Sequence, residues 1–212
     1  MLMMLSNNGV FGQTTIFSEN VGTGMGTNGT AISTWESNNR FNNISFTYSG
    51  TGDVRNTNAS SGYSGASGVW NILLNPSSGT ETFIIDGIDA SDFSGLTLNF
   101  GVKKGTSASN GSELIIEYST TGVAGSYTTI SWPALPTGTG TSIWTLRNST
   151  STIPSSVTTI RFISSVYSSG FNIDDVSLTG TASCTEPSTQ ATDITFNNVQ
   201  QTSMDAAWTN GN

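Results

Sequence analysis

A rhythm of short strand-like runs limits what this chain can fold into. From Thr14 onward, β-branched and aromatic residues cluster about every 10 to 20 residues, with Gly, Asn, Ser and Pro between the clusters. Ten runs stand out: TTIFSENV, ISFTYSG, VWNILLN, ETFIIDGI, LTLNFGVKK, SELIIEYST, YTTISW, IWTLRN, TTIRFISSV and GFNIDDVSL. In the clearest, Leu96, Leu98, Phe100 and Val102 alternate with Thr97, Asn99, Gly101 and Lys103, giving the strand one core face and one wet face. Leu114, Ile116 and Tyr118 repeat the pattern, with Glu113 and Glu117 outside. The polar segment GTSASNG joins these two runs, so they are expected to pair as an antiparallel hairpin. No stretch has a convincing 3.6-residue period, and parallel pairs would need crossover connections. The expected fold is all-β: an antiparallel, two-sheet, jelly-roll-like sandwich.

Breaks in the rhythm divide the chain. The sandwich is expected over residues 13–181, and the Thr/Ser/Pro stretch of residues 182–191 reads as a linker. Its Cys184 is the single cysteine and makes no internal disulfide. Residues 192–212 add two alternating runs, Ile194, Phe196 and Val199, then Met204, Ala206 and Trp208. That is too little chain to close a core, so this piece is expected to be poorly ordered. Residues 1–12, with a Met/Leu run and small Gly12 before Gln13, resemble the tail of a signal peptide; the other reading is a disordered extension.

Charge and composition remove several function classes. Fourteen acidic side chains against six basic ones give a net charge of −8, which opposes binding to nucleic acid or to an anionic membrane surface. Lys103 and Lys104 are the only adjacent basic pair, and a strand would point them to opposite faces. No apolar run approaches bilayer length, so membrane insertion is not expected. Histidine is absent, which excludes a Ser-His-Asp triad, a Cys-His pair and His-ligated zinc. A glycosidase-like pair of acids would have to come from Glu36, Asp53, Glu81, Asp86, Glu113 and Glu117, and Glu113 with Glu117 is equally what a wet sheet face produces. The segment GTGMGTNGT lacks a strand-helix context and reads as a flexible loop rather than a dinucleotide fingerprint.

Sugar recognition would draw on exposed aromatic rings flanked by polar groups. Trp35, Tyr63 and Trp132 have mostly polar neighbours, and Arg55 could donate to hydroxyls or to an acidic sugar. Trp70 and Trp144 sit in strand-like runs and are expected in the core, which is also the default for the other three rings. In FNIDDVSL, strict alternation would split Phe171 and Ile173 from Val176 and Leu178; a bulge at Asp174-Asp175 would turn all four inward. The two adjacent carboxylates repel unless a hard cation compensates, or they are simply solvated or accept hydrogen bonds from turn amides.

IFSENVG, SSGYSGASGVWNI and above all FNIDDVSLTG resemble the jelly-roll modules of secreted, multidomain Bacteroidetes-type proteins, themselves related to carbohydrate-binding modules and MAM-like domains. The start of residues 192–212 resembles a truncated fibronectin type III domain, with Trp208 as its core tryptophan. The first resemblance implies a non-catalytic, secreted or cell-surface module that targets an attached catalytic domain, or an anchoring one, to polysaccharide or surface glycan. The alternative is a structural spacer or a protein-interaction module. The resemblance also implies a structural calcium where Glu19 on the first strand meets Asp174 on the last, with Asp175 as a further ligand.

Overall fold

A computed structural model describes residues 12–22, 24–165, 170–183, 192–200, 202–203 and 205–209. The suggested signal remnant, apart from Gly12, and Cys184 with nearly all of the linker lie outside the described residues. The chain divides into two units, Met1–Ala182 and Ser183–Asn212.

The first unit is a two-sheet sandwich, and every strand pair in it is antiparallel. Its elements are β1 (Gln13–Glu19), β2 (Thr30–Ala31), α1 (Ile32–Ser37), β3 (Thr47–Gly50), β4 (Asp53–Arg55), β5 (Asn71–Leu74), β6 (Glu81–Asp86), β7 (Phe93–Lys104), β8 (Leu114–Ser119), β9 (Thr128–Thr129), β10 (Thr145–Asn148), β11 (Thr159–Ser164) and β12 (Phe171–Ala182). One sheet runs β10-β7-β12-β5-β4-β2, and β1 also pairs with β12; the other runs β3-β6-β11-β8-β9. All ten runs read from the sequence contain a strand, and β2 and β4 are additional short ones. No helix among the described residues is long and apolar enough to cross a membrane.

The core forms where the inner faces of the sheets meet. Leu98, Phe100, Val102, Ile173 and Leu178 come from one sheet and Phe83, Ile85, Ile116, Ile160 and Phe162 from the other, all fully buried. Phe162 packs edge-on against Phe100 at 5.6 Å and stacks on Phe83 at 6.0 Å, so aromatic contacts tie the layers together. Each such ring contributes about 1.5–3 kcal/mol by burial. Lys103 and Lys104 do point to opposite faces: Lys103 donates to Asn58 Oδ1 outside, and Lys104 is buried inside.

Two expectations need correcting. β7 and β8 do not form a hairpin, because β7 lies in the seven-stranded sheet and β8 in the five-stranded one. Each has one buried face, and they lie in opposite layers of the sandwich instead of side by side. Their connection is pinned by the Lys104 ammonium, which donates to the carbonyls of Ser107, Ser109 and Pro136. No helix was expected, yet the polar stretch around Trp35 forms the short helix α1, where Ile32 and Trp35, three residues apart, share a buried face.

In the second unit, β13 (Thr192–Asn197) and β14 (Asp205–Thr209) pair as an antiparallel hairpin, one strand in each of the two alternating runs read from the sequence. Phe196, Val199 and Trp208 are exposed.

Candidate functional site

The register of the seven-stranded sheet builds a polar outer face. Ser177 on β12 stands opposite Ser18 on β1 and Asn99 on β7, and Asn99 stands opposite Asn148 on β10. Directly opposed residues share a face, so these four polar side chains form a row across four strands. One residue along β12 the ladder slips between Asp174 and Ser177, and Asp175 takes a left-handed φ of 50°. This is the expected bulge, and it does leave Phe171, Ile173, Val176 and Leu178 all buried.

The segment 60–68 folds over this face, and the bulge fastens it. Tyr63 donates its hydroxyl to Asp175 Oδ2 at 2.5 Å, and the Ser67 amide donates to both Asp175 oxygens at 3.2 Å. The Ser67 hydroxyl donates to Asp174 Oδ2 at 2.9 Å, and the Asp175 amide donates to Asp174 Oδ1 at 2.8 Å. Gly101, opposite Asp174, leaves room for the Tyr63 ring, which a Cβ would strike. Between this overhang and the strands lies a cleft of about 420 Å³, lined among others by Ser18, Asn20, Tyr63, Asn99, Asp175 and Ser177.

Burial and the neighbouring Asp175 carboxylate push Asp174 up to about 7, against the pull of its hydrogen-bond donors. Asp174 is fully buried although it faces outward, because the 60–68 segment covers it. Burial and the bond to Asp175 likewise push the Tyr63 phenol up, so at neutral pH it is a donor.

The residues singled out in the sequence separate into different places. Tyr63, Asp174 and Asp175, expected in two different roles, belong to one constellation. Trp35 does not belong to it: its ring is fully buried against Trp70 at 4.8 Å, and its Nε1 donates to the Val21 carbonyl, so it cannot stack on a ligand. Arg55 lies on β4 in an ion pair with Asp53 at 2.7 Å. Trp132 is half-buried, edge-on to Phe100, in the wall of a separate apolar pocket of about 250 Å³ beside β8. Trp70 and Trp144 are buried as expected. Ser18, Asn99, Ser67 and Ser177 were missed; nothing local marks them, because only strand pairing and the 60–68 fold bring them together.

Glu19 and Asp174 do lie on neighbouring strands, with Glu19 opposite Val176. They nevertheless face opposite sides of the sheet. Glu19 points inward, where it accepts the Asn42 and Asn43 amides at 3.0 and 2.8 Å and the Tyr48 hydroxyl at 3.0 Å. Burial pushes its carboxyl up against these bonds. Calcium needs several converging oxygens, whereas N–H and O–H donors aim at these carboxylates. Among the described residues no group of three or more acidic, thiol or imidazole side chains gathers. The residues do not fit a calcium ion shared by Glu19 and Asp174.

Five of the six acids considered for catalysis, all but Glu36, are engaged elsewhere. Glu117 pairs with Arg161 at 2.6 Å, Asp53 with Arg55, and Asp86 with the Thr159 hydroxyl. Glu113 accepts from Ser109, and Glu81 from the Asn75 amide.

No protein-family model and no curated protein matches the chain. Among solved structures it is similar to a cleaved adhesin domain of Lys-gingipain from Porphyromonas gingivalis, at 14% identity and a TM-score of 0.46 over 78% of this chain and 97% of that one. It is similar to a CBM22 xylan-binding domain from Paenibacillus barcinonensis at 8% identity and a TM-score of 0.41, over 83% and 99%. It is also similar to a family 30 carbohydrate-binding module at 18% identity and a TM-score of 0.41, over 83% and 90%.

Proposed function

We propose that the sandwich is a non-catalytic carbohydrate-binding module of a secreted or cell-surface protein, serving to hold an attached domain against polysaccharide. The observation that carries this reading is the cleft under Tyr63, an open site lined by hydroxyls, amides and one carboxylate. Sugars present hydroxyl groups that both donate and accept, and Ser, Asn and ionised Asp side chains complement them. Trp substituted for Ser18, an exposed residue at the cleft floor, would fill the space without disturbing the core. A glycan array probed with the wild-type module should give binding that Ser18→Trp abolishes. Silence of the wild type across a broad array would sink the reading.

A spacer or protein-interaction role is the second reading, and one observation favours it. Among the described residues of the sandwich every aromatic ring is buried or half-buried, so no exposed stacking platform exists. Carbohydrate binding here therefore depends on hydrogen bonds rather than on ring stacking.

A further inference from the structure

We infer that the cleft takes a neutral, hydroxyl-rich glycan chain laid across the strands and rejects polyuronates. This rests on the carbohydrate-binding reading of the same cleft and adds the ligand's charge and direction.

Direction follows from register. Ser18, Ser177 and Asn99 are consecutive partners on β1, β12 and β7, and Asn148 continues their row on β10. Adjacent strands lie roughly 4.8 Å apart, so the row extends roughly 14 Å perpendicular to the strands. Among the described residues the side chains of Ser18, Ser177 and Asn148 make no hydrogen bond, and Asn99 reaches only the Thr97 carbonyl, at 3.5 Å. Three of the four are thus unspent donor-acceptor groups, evenly stepped along one line. An extended polymer with a hydroxyl-bearing unit at each step can use all of them only by crossing the strands.

Charge follows from what the cleft contains and what it lacks. No Lys or Arg lines it. Lys103 is held by Asn58 and Arg55 by Asp53, and Arg147, between Leu146 and Asn148 on β10, stands opposite inward-facing Phe100 and donates to the Leu146 carbonyl, so none of these cations is directed at a ligand. The one carboxylate in the lining is Asp175, with Asp174 buried behind it. Asp175 accepts from Tyr63 and from the Ser67 amide, while an ionised carboxylate offers about four lone-pair sites. Its remaining capacity suits neutral hydroxyls, which would make charge-assisted bonds to it. A uronate carboxylate in the same place would meet like charge, on a chain whose net charge is already −8.

Affinity electrophoresis separates the outcomes. The module is run through gels containing neutral polysaccharides, such as arabinoxylan, mixed-linkage β-glucan, galactan and mannan, or containing polygalacturonate or alginate. Retardation is expected with at least one neutral polymer and with neither polyuronate. Asp175→Asn keeps the size of the side chain and a residue type that tolerates positive φ, and Asn99→Ala removes the middle of the row. Each should weaken neutral binding about tenfold, the effect of losing a hydrogen bond of charged or well-fixed type. Ile115→Ser, on the opposite sheet, should leave binding unchanged, and thermal melts verify that each variant is folded. Retardation by polyuronate as strong as by neutral polymer would overturn the charge assignment. Full neutral binding by both cleft variants would overturn the row. If no polymer of either class retards the wild type, the carbohydrate reading itself fails, and this inference with it.

Discussion

Gly101 sets the height of the roof over the cleft. It faces outward on β7 opposite Asp174, and any Cβ there meets the Tyr63 ring and hydroxyl. Gly101→Ala is therefore expected to lift Tyr63 from Asp175 and to destabilise the sandwich by about 1–3 kcal/mol, as other overpacked sites do. Urea denaturation would measure this, and an unchanged midpoint would mean that Tyr63 does not rest there. At this scale the sequence was partly informative. Tyr63 and the Asp174-Asp175 pair each stood out, one as a ring among small polar residues and the other as adjacent like charges. Their partnership did not, because more than a hundred residues separate them and nothing local records the contact. Trp35 misled for a local reason: its Ser, Glu and Asn neighbours suggested exposure. The informative signal was Ile32 one helical turn earlier, which places both side chains on one face.

Alternation reveals which face of a strand is buried but not which strand lies beside it. That is why the outer and inner faces of β7 and β8 were legible while their supposed hairpin was not. The bulge in β12 was legible because it is a parity problem: Ile173 and Val176 can both be buried only if the ladder slips between them. The two- and three-residue strands β2 and β4 were too short to show a period. Lys104 marks where the chain leaves one sheet for the other, and its ammonium satisfies three carbonyls of the connecting segments. Lys104→Met keeps the length of the side chain and removes every donor. It should destabilise the fold by about 1–3 kcal/mol, since the buried Ser109 carbonyl and the half-buried Ser107 carbonyl lose their donor. Calorimetry would read the loss, and a Met variant as stable as the wild type would show that water replaces the ammonium there.

Over the whole molecule, stability should rise on mild acidification, which is the reverse of the behaviour of a protein held by paired carboxylates. Asp174 decides the sign. Its carboxyl titrates at about 7 in the folded chain and near 4 when unfolded. Between these values the folded state binds more protons than the unfolded one, so stability is highest below the window, falls as pH rises through it, and levels off above. Burial pushes Glu19 in the same direction, and the chain's negative net charge adds self-repulsion that also grows with pH. Melting temperature is therefore expected to increase from about pH 8 to about pH 5. Asp174→Asn distinguishes the sources: it cannot titrate, keeps hydrogen bonds to the Ser67 hydroxyl and the Asp175 amide within reach, and should flatten most of the slope while raising stability at the alkaline end. If the variant keeps the wild-type slope, general self-repulsion governs the pH response, and the buried carboxylate beneath the 60–68 segment does not.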